Sequence, residues 1–263
     1  MHEGLMIAAS AGAKQQIKMD VLANNLANLN NAGFKSDGLI FREIFPPFDN
    51  DTSFETSRNV LLPPNQSNGN VAYVAVADFY IDYAQGVFQQ TGNTLDLALD
   101  GEGFFELETP QGTRYTRNGN FRLNTDNLLV TQDGNLVMGD DETPIQIDAQ
   151  GGIIAIASDG TISVGTGLEN IALGNIRLVK FDDPSVLVKE GNGLYENVNP
   201  DAIAQPTKEM AVRQGFLERS NVNQIEEMTN MITTIRAFEA YQKVIQTIDE
   251  ADDQAVNAIG RVV

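Results

Sequence analysis

NVNQIEEMTNMITTIRAFEAYQKVIQTIDEADDQAVNAI, residues 221–259, is the stretch on which the fold turns, because neither Pro nor Gly interrupts it. As a single α-helix it would extend roughly 55–60 Å, longer than the core of a compact domain requires. Apolar residues recur at Ile225, Met228, Ile232 and Ile235, pass through Phe238 to Tyr241, and resume at Ile245, Ile248, Ala255 and Ile259. Steps of three and four make a narrow seam on one side of a helix, and such a seam calls for a partner helix. The consecutive short steps around Phe238 predict a local overwinding of that seam. Ser220, Asn221 and Asn223 are each suited to cap the start, and Glu226 and Glu227 set negative charge in the first turn, where the helix dipole favours it.

A matching seam lies at the other end of the chain. Leu5, Ala8, Gly12, Gln15, Met19, Leu22, Leu26 and Leu29 alternate steps of three and four without a break. Ala8 and Gly12 permit close backbone approach, whereas the leucines concentrate toward Leu29. Asn30 to Gly33 reads as the stop, with Gly33 as the left-handed residue after the helix. Asn24, Asn25 and Asn28 fall before that stop, where helix propensity would not select them, and as a cluster they suit polar contacts between subunits.

Between the seams the pattern changes twice. From Ser36 to about Ala77, the paired prolines in Phe45-Pro46-Pro47-Phe48 and Leu62-Pro63-Pro64-Asn65 rule out regular ladders, while Phe41, Phe45, Phe48 and Phe54 predict partial packing and Val71–Val76 a strand. From Val87 to about Val198 the period is alternating. Strands are expected over 95–99, 104–108, 114–116, 120–124, 128–131, 136–138, 145–147, 153–157, 161–164 and 176–181. Turns separate them at Pro110-Gln111-Gly112, Asp126-Asn127, Asp133-Gly134 and Asp159-Gly160. The expected fold is therefore α+β: long N- and C-terminal helices pairing as a coiled-coil-like arm around a central antiparallel all-β domain. Its parts are a helical arm over 1–35, an extended connector over 36–80, the β domain over 81–212 and a second helical arm over 213–263.

Composition excludes much chemistry. The net charge of −19 leaves no basic stripe for nucleic acid. Residues 1–45 balance Lys14, Lys18, Lys35 and Arg42 against Glu3, Asp20, Asp37 and Glu43, so the acidity sits mainly in the middle of the chain. With no Cys and His2 as the sole histidine, nucleophilic catalysis and zinc binding lack their parts. No catalytic residue, cofactor, metal or small-molecule substrate is expected. Asp140-Asp141-Glu142 and Asp182-Asp183 could in principle supply a glycosidase-type pair, but acidic residues at turns of an acidic protein are usually solvated. No apolar run is long enough to span a membrane, and Glu3 stands where a secretory signal would be basic, so neither a membrane span nor a cleaved signal is expected.

Three blocks carry a family resemblance. Asn24-Asn25-Leu26-Ala27-Asn28 followed by Gly33-Phe34-Lys35 resembles the N-terminal signature of the flagellar axial proteins, which build the basal-body rod and hook. Asn31-Ala32 replaces the Thr that commonly precedes the Gly-Phe pair there. The run Gln90 to Leu99, with Gly92, Leu95 and Asp96, leads into Gly101, Gly103, Phe104 and Phe105 and is similar to that family's entry to its β domain. Tyr115-Thr116-Arg117-Asn118-Gly119 continues the likeness. Last, Gly215-Phe216-Leu217-Glu218-Arg219-Ser220-Asn221-Val222-Asn223, with Met231, Ile232, Arg236, Phe238 and Glu239 downstream, resembles the family's closing helix.

The resemblance implies a rod subunit, nearer the proximal rod than the distal because no long insertion follows Phe45. It implies export by the flagellar export apparatus without a cleaved signal, and partners among other rod subunits and neighbouring axial proteins in the periplasmic basal body. Assembly would then use Leu5, Gly12, Met19, Leu22, Asn25, Leu26, Asn28, Leu29, Gly33 and Phe34 from the first arm. From the second it would use Leu217, Glu218, Ser220, Asn221, Val222 and the seam with Ile225, Met228, Met231, Ile245 and Ile248. A distal rod or hook subunit, and an enzyme or binding module on a coiled-coil stalk, are the alternatives.

Overall fold

A computed structural model describes residues 2–44, 73–148, 152–165, 170–207 and 210–259. The expected prolyl loops and the packing of Phe45, Phe48 and Phe54 lie outside these residues. The chain divides into two units, Met1–Asn24 with Asp37–Tyr80 and Ile225–Val263, and Asn25–Ser36 with Ile81–Gln224.

The first unit is built on two helices, α1 (His2–Ala27) and α2 (Gln224–Ile259). A Cβ placed on Gly4 would lie 3.8 Å from Ile248 Cδ1, and one on Gly12 would lie 3.9 Å from the Phe238 ring. As numbers rise along α1 they fall along α2, so the helices run antiparallel at these two points. Ala8, Gly12 and Leu22 are buried, and Leu5, Met19 and Leu26 are partly covered. Strands Ser36–Ile44 and Tyr73–Asp82 pair as a two-stranded ribbon, with the Tyr80 ring occupying the space beside Gly38. Lys14 of α1 places its ammonium over the Phe41 ring at 4.5 Å.

On α2 the expected seam proves to be two stripes. The covered one comprises Glu227, Met231, Thr234, Phe238, Tyr241, Ile245 and Ile248, whereas Ile225, Met228, Ile232 and Ile235 are exposed. The short steps at Phe238 thus fall where the run crosses from one stripe to the other. Thr234 can occupy a buried position because its hydroxyl donates to the carbonyl of Asn230 at 2.7 Å.

The second unit is antiparallel throughout its described pairings. Its main sheet runs, in spatial order, through 187–191, 194–197, 112–116, 104–109, 136–137, 129–131 and 121–123, and Leu178–Lys180 also pairs with 104–109. Strands 153–156, 161–165 and 170–175 form a smaller sheet. Leu97, Leu99, Phe105, Leu107, Phe121, Leu129 and Ile147 are fully buried in one core, and Phe104, Tyr115, Phe181 and Tyr195 form an aromatic cluster beside it. Ile145 and Ile147 fill the core without forming the expected strand, joined instead by single bridges and bonds such as Leu129 N–H to the Ile145 carbonyl.

Two boundaries move. Ala211–Gln214 pairs with Leu97–Asp100, and Phe216–Glu218 pairs with Phe88–Gln90, so residues assigned to the C-terminal arm are strands of the second unit. Gly215, at φ 78°, makes the corner between them. Leu217 and Glu218 are therefore on a strand, and Ser220, Asn221 and Val222 precede the helix rather than belonging to it. At the other end α1 stops at Ala27, leaving Asn28 outside, because Asn28 accepts the Asn31 amide with its carbonyl and the Asn31 side chain with its own. Gly33 lies well beyond the helix end and is not its cap.

Candidate functional site: a buried ion-paired junction

The three signature blocks converge in the second unit. After α1 the chain turns through Asn28–Ala32, and Gly33, at φ 68°, lies against the Arg117–Asn118 peptide, where a Cβ would fall 2.4 Å from the Arg117 carbonyl carbon. The Gly33 N–H donates to the Glu218 carbonyl at 2.8 Å. This geometry points Lys35 inward. Its ammonium donates to Glu218 Oε1 at 2.6 Å and to the Ala84 carbonyl at 2.9 Å, and neither charged side chain has exposed surface. Arg117 approaches the other carboxylate oxygen at 3.4 Å and donates to the Gly101 carbonyl at 2.7 Å, while its Nε finds no partner among the described residues.

Backbone closes the remaining space. The Gly86 N–H donates to Glu218 Oε1 at 2.8 Å, and only glycine fits there, since a Cβ would stand 1.9 Å from the Arg219 carbonyl oxygen. Asn221 accepts the Ser36 N–H at 2.8 Å and donates to the Asp82 and Ala84 carbonyls. Lys189 covers the group, donating to the Lys35 carbonyl at 2.5 Å with its ammonium 4.1 Å from the Phe34 ring centroid. Gly92 and Asp96 serve the same region, since both bond the Gly215 backbone, and Leu95 packs on the core.

Two cations and one carboxylate share this site. Burial pushes the Lys35 ammonium below its ordinary value, opposed by the attraction of Glu218, and burial likewise lowers Arg117. Buried away from bulk solvent, the charges hold one another in fixed geometry. The arrangement is suited to fastening and contains no activated nucleophile. Asp140, Asp141, Glu142, Asp182 and Asp183 are each engaged by a turn or a neighbour: Asn175, Thr143, Arg177, Gln205 and Ser185. No group of three or more metal-ligating side chains occurs among the described residues.

By sequence alone Glu218 is placed on the closing helix, Lys35 in a motif and in the charge balance of residues 1–45, and Arg117 in a motif. No local signal sets the three apart: Lys35 follows Phe34, but Arg117 stands between Thr116 and Asn118, and Glu218 between Leu217 and Arg219. Gly33→Ala is a direct test of the junction: the left-handed backbone alone costs about 1–2 kcal/mol, and overlap with Arg117 adds to it. Urea denaturation should show a clear loss of stability, and an unchanged midpoint would contradict the close approach.

A second feature is the exposed α2 stripe, where Ile225 is 79% and Ile232 52% exposed. Regularly spaced large apolar side chains facing water mark an interaction surface.

The chain matches three family models in order: "Flagella basal body rod protein" over residues 5–35, "Flagellar hook protein FlgE/F/G D1 domain" over 98–164, and "Flagellar basal body rod FlgEFG protein C-terminal" over 213–258. It is 33% identical to the flagellar basal-body rod protein FlgF of Caulobacter vibrioides over 100% of both chains. It is 34% identical to the rod protein FlgG of Borreliella burgdorferi, covering 95% of this chain and 96% of that one, and 35% identical to FlgG of Bacillus subtilis, covering 92% and 93%.

Proposed function

We propose a mode of assembly from one premise: the chain belongs to the FlgF/FlgG family of flagellar basal-body rod proteins and is a structural subunit of the rod. The subunit polymerises through α1 and α2, which pair along their covered stripes as a coiled-coil-like arm and use their remaining faces for neighbouring rod and axial subunits. Stacked arms surround a central export channel and carry torque by packing. The chain reaches the periplasmic part of the basal body through the flagellar export apparatus. Its place is the proximal rod. No helix among the described residues is long and apolar enough to cross a membrane.

The observation that carries this reading is the pair of terminal helices, each inside a matched family segment, with large apolar side chains left facing solvent on α2. The test is mass spectrometry of purified hook–basal bodies before and after the hook is sheared away. Retention with the sheared basal body supports a rod subunit, loss with the hook fraction moves it to the hook, and absence from both would overturn the reading.

In the isolated subunit the arms lack their intersubunit contacts, so the entropy of ordering them is poorly offset. Limited proteolysis should strip residues before about Asn25 and after about Gln224, while the β unit, pinned by Lys35 and Glu218, survives. Arms as resistant as the β unit would contradict this.

A further inference from the structure

We infer that residues 210–221 act as a closing strap, and that the β unit holds no fold until this segment has docked on it. The strap is interior, with neighbours on both sides. Along one side Ala211–Gln214 pairs with Leu97–Asp100, which has no other strand partner among the described residues. Along the other, the Val212 N–H donates to the Ser158 carbonyl at 2.8 Å, and the Gln214 side chain accepts the Ile156 N–H and donates to the Ile154 carbonyl, both at 3.1 Å. Past the Gly215 corner, Phe216–Glu218 is likewise the one strand that Phe88–Gln90 pairs with among the described residues.

The side chains of the strap complete what surrounds them. Met210 and Val212 are buried in one core with Leu97, Leu99, Phe105 and Ile156. Glu218 supplies the carboxylate that Lys35 and Arg117 share. A chain without the strap therefore uncovers this core, leaves backbone groups of 97–100 unpaired and strands two buried cations with no counter-charge beside them. An edge strand can be lost with its sheet intact, whereas an interior one takes its neighbours with it.

Chains are made from the N-terminus, and domains ordinarily fold as their residues become available. Here strands 88–90 and 97–100 wait for partners far along the chain: Arg213 meets Asp100 across 113 residues. No stretch of the chain ending before Met210 folds, so the β unit stays open through most of its synthesis. This holds wherever the subunit is assembled.

Hydrogen exchange on the unaltered protein under native conditions is the first test. The N–H groups of Val212 and Gly215 should exchange only when the whole β unit opens, within about fivefold of those in Phe104–Thr109 once intrinsic rates are divided out. Faster exchange than that would overturn the inference, because the β unit would then stand with the strap detached. A second measurement isolates the segment. A protease site is inserted after Pro200, in an exposed turn, and the folded full chain is cut, separated in urea and returned to buffer. The fragment ending at the cut should melt without a cooperative transition and regain one when a synthetic peptide of residues 210–223 is added. A Val212→Asp peptide should bind at least about tenfold more weakly, since its carboxylate would enter the core. A cooperative melt by the fragment alone, or equal rescue by the altered peptide, would overturn the inference.

Discussion

Glu218→Gln should cost the β unit about 3–5 kcal/mol, the range for removing one partner from a buried ion pair. Against a total stability of roughly 5–15 kcal/mol this is a large fraction, and the melting temperature should fall on the order of 10 °C. The size of the effect follows from charge. Lys35 and Arg117 face the same carboxylate, so the cluster carries one excess positive charge, and Glu218→Gln raises the excess to two in a place without solvent. Lys35→Met moves the other way, leaving Arg117 paired with Glu218, and should cost less. If Lys35→Met proved the more damaging of the two, the charge argument would be wrong and packing would have to explain the site.

The same variants have a pH signature. Burial lowers the Lys35 ammonium and Glu218 opposes the shift, so removing the carboxylate lowers it further. Between the folded value and the ordinary unfolded one, the unfolded chain binds more protons, and stability therefore rises with pH across that window. In Glu218→Gln the window begins at lower pH. Urea midpoints measured from neutral to alkaline pH should accordingly climb over a wider range in the variant than in the unaltered protein, and equal slopes would contradict the assignment.

Ile232→Asp is expected to abolish swimming while leaving the folded subunit almost unchanged. Ile232 is 52% exposed, and substitutions at such positions usually shift stability by no more than about 0.5 kcal/mol. In an assembled rod the same position would place an unpaired carboxylate inside an apolar contact, where desolvation is costly. Phe238→Asp is the comparison, because Phe238 lies on the covered stripe against Gly12, and its replacement should also weaken the α1–α2 contact. Thermal melting of the purified subunit and motility in soft agar separate the two effects. Normal swimming by Ile232→Asp cells would remove the exposed stripe from assembly.

Local pattern was enough to read much of this chain. The three-four spacing from Leu5 to Leu26 and the unbroken run to Ile259 declare two helices, because periodicity depends on the backbone geometry of a few neighbouring residues. The turns at Asn127, Gly134 and Gly160 declare themselves similarly, each having positive φ. Asn192-Gly193 is an equally direct hairpin signal, both residues having positive φ where they join strands 187–191 and 194–197.

Partnership required the tertiary structure. Thr234 looks polar yet is buried, and Ile225 looks like core yet is exposed, since composition does not say which of two overlapping stripes meets the other helix. Phe216–Glu218 continues visibly toward a helix in sequence, but Phe88–Gln90 claims it as a strand. Lys35, Arg117 and Glu218 are ordinary surface residue types, distant from one another along the chain, and only folding sets them together away from water. Spacing along a chain thus determined what each segment could become, whereas burial, a property of everything packed around a side chain, decided which charges had to meet.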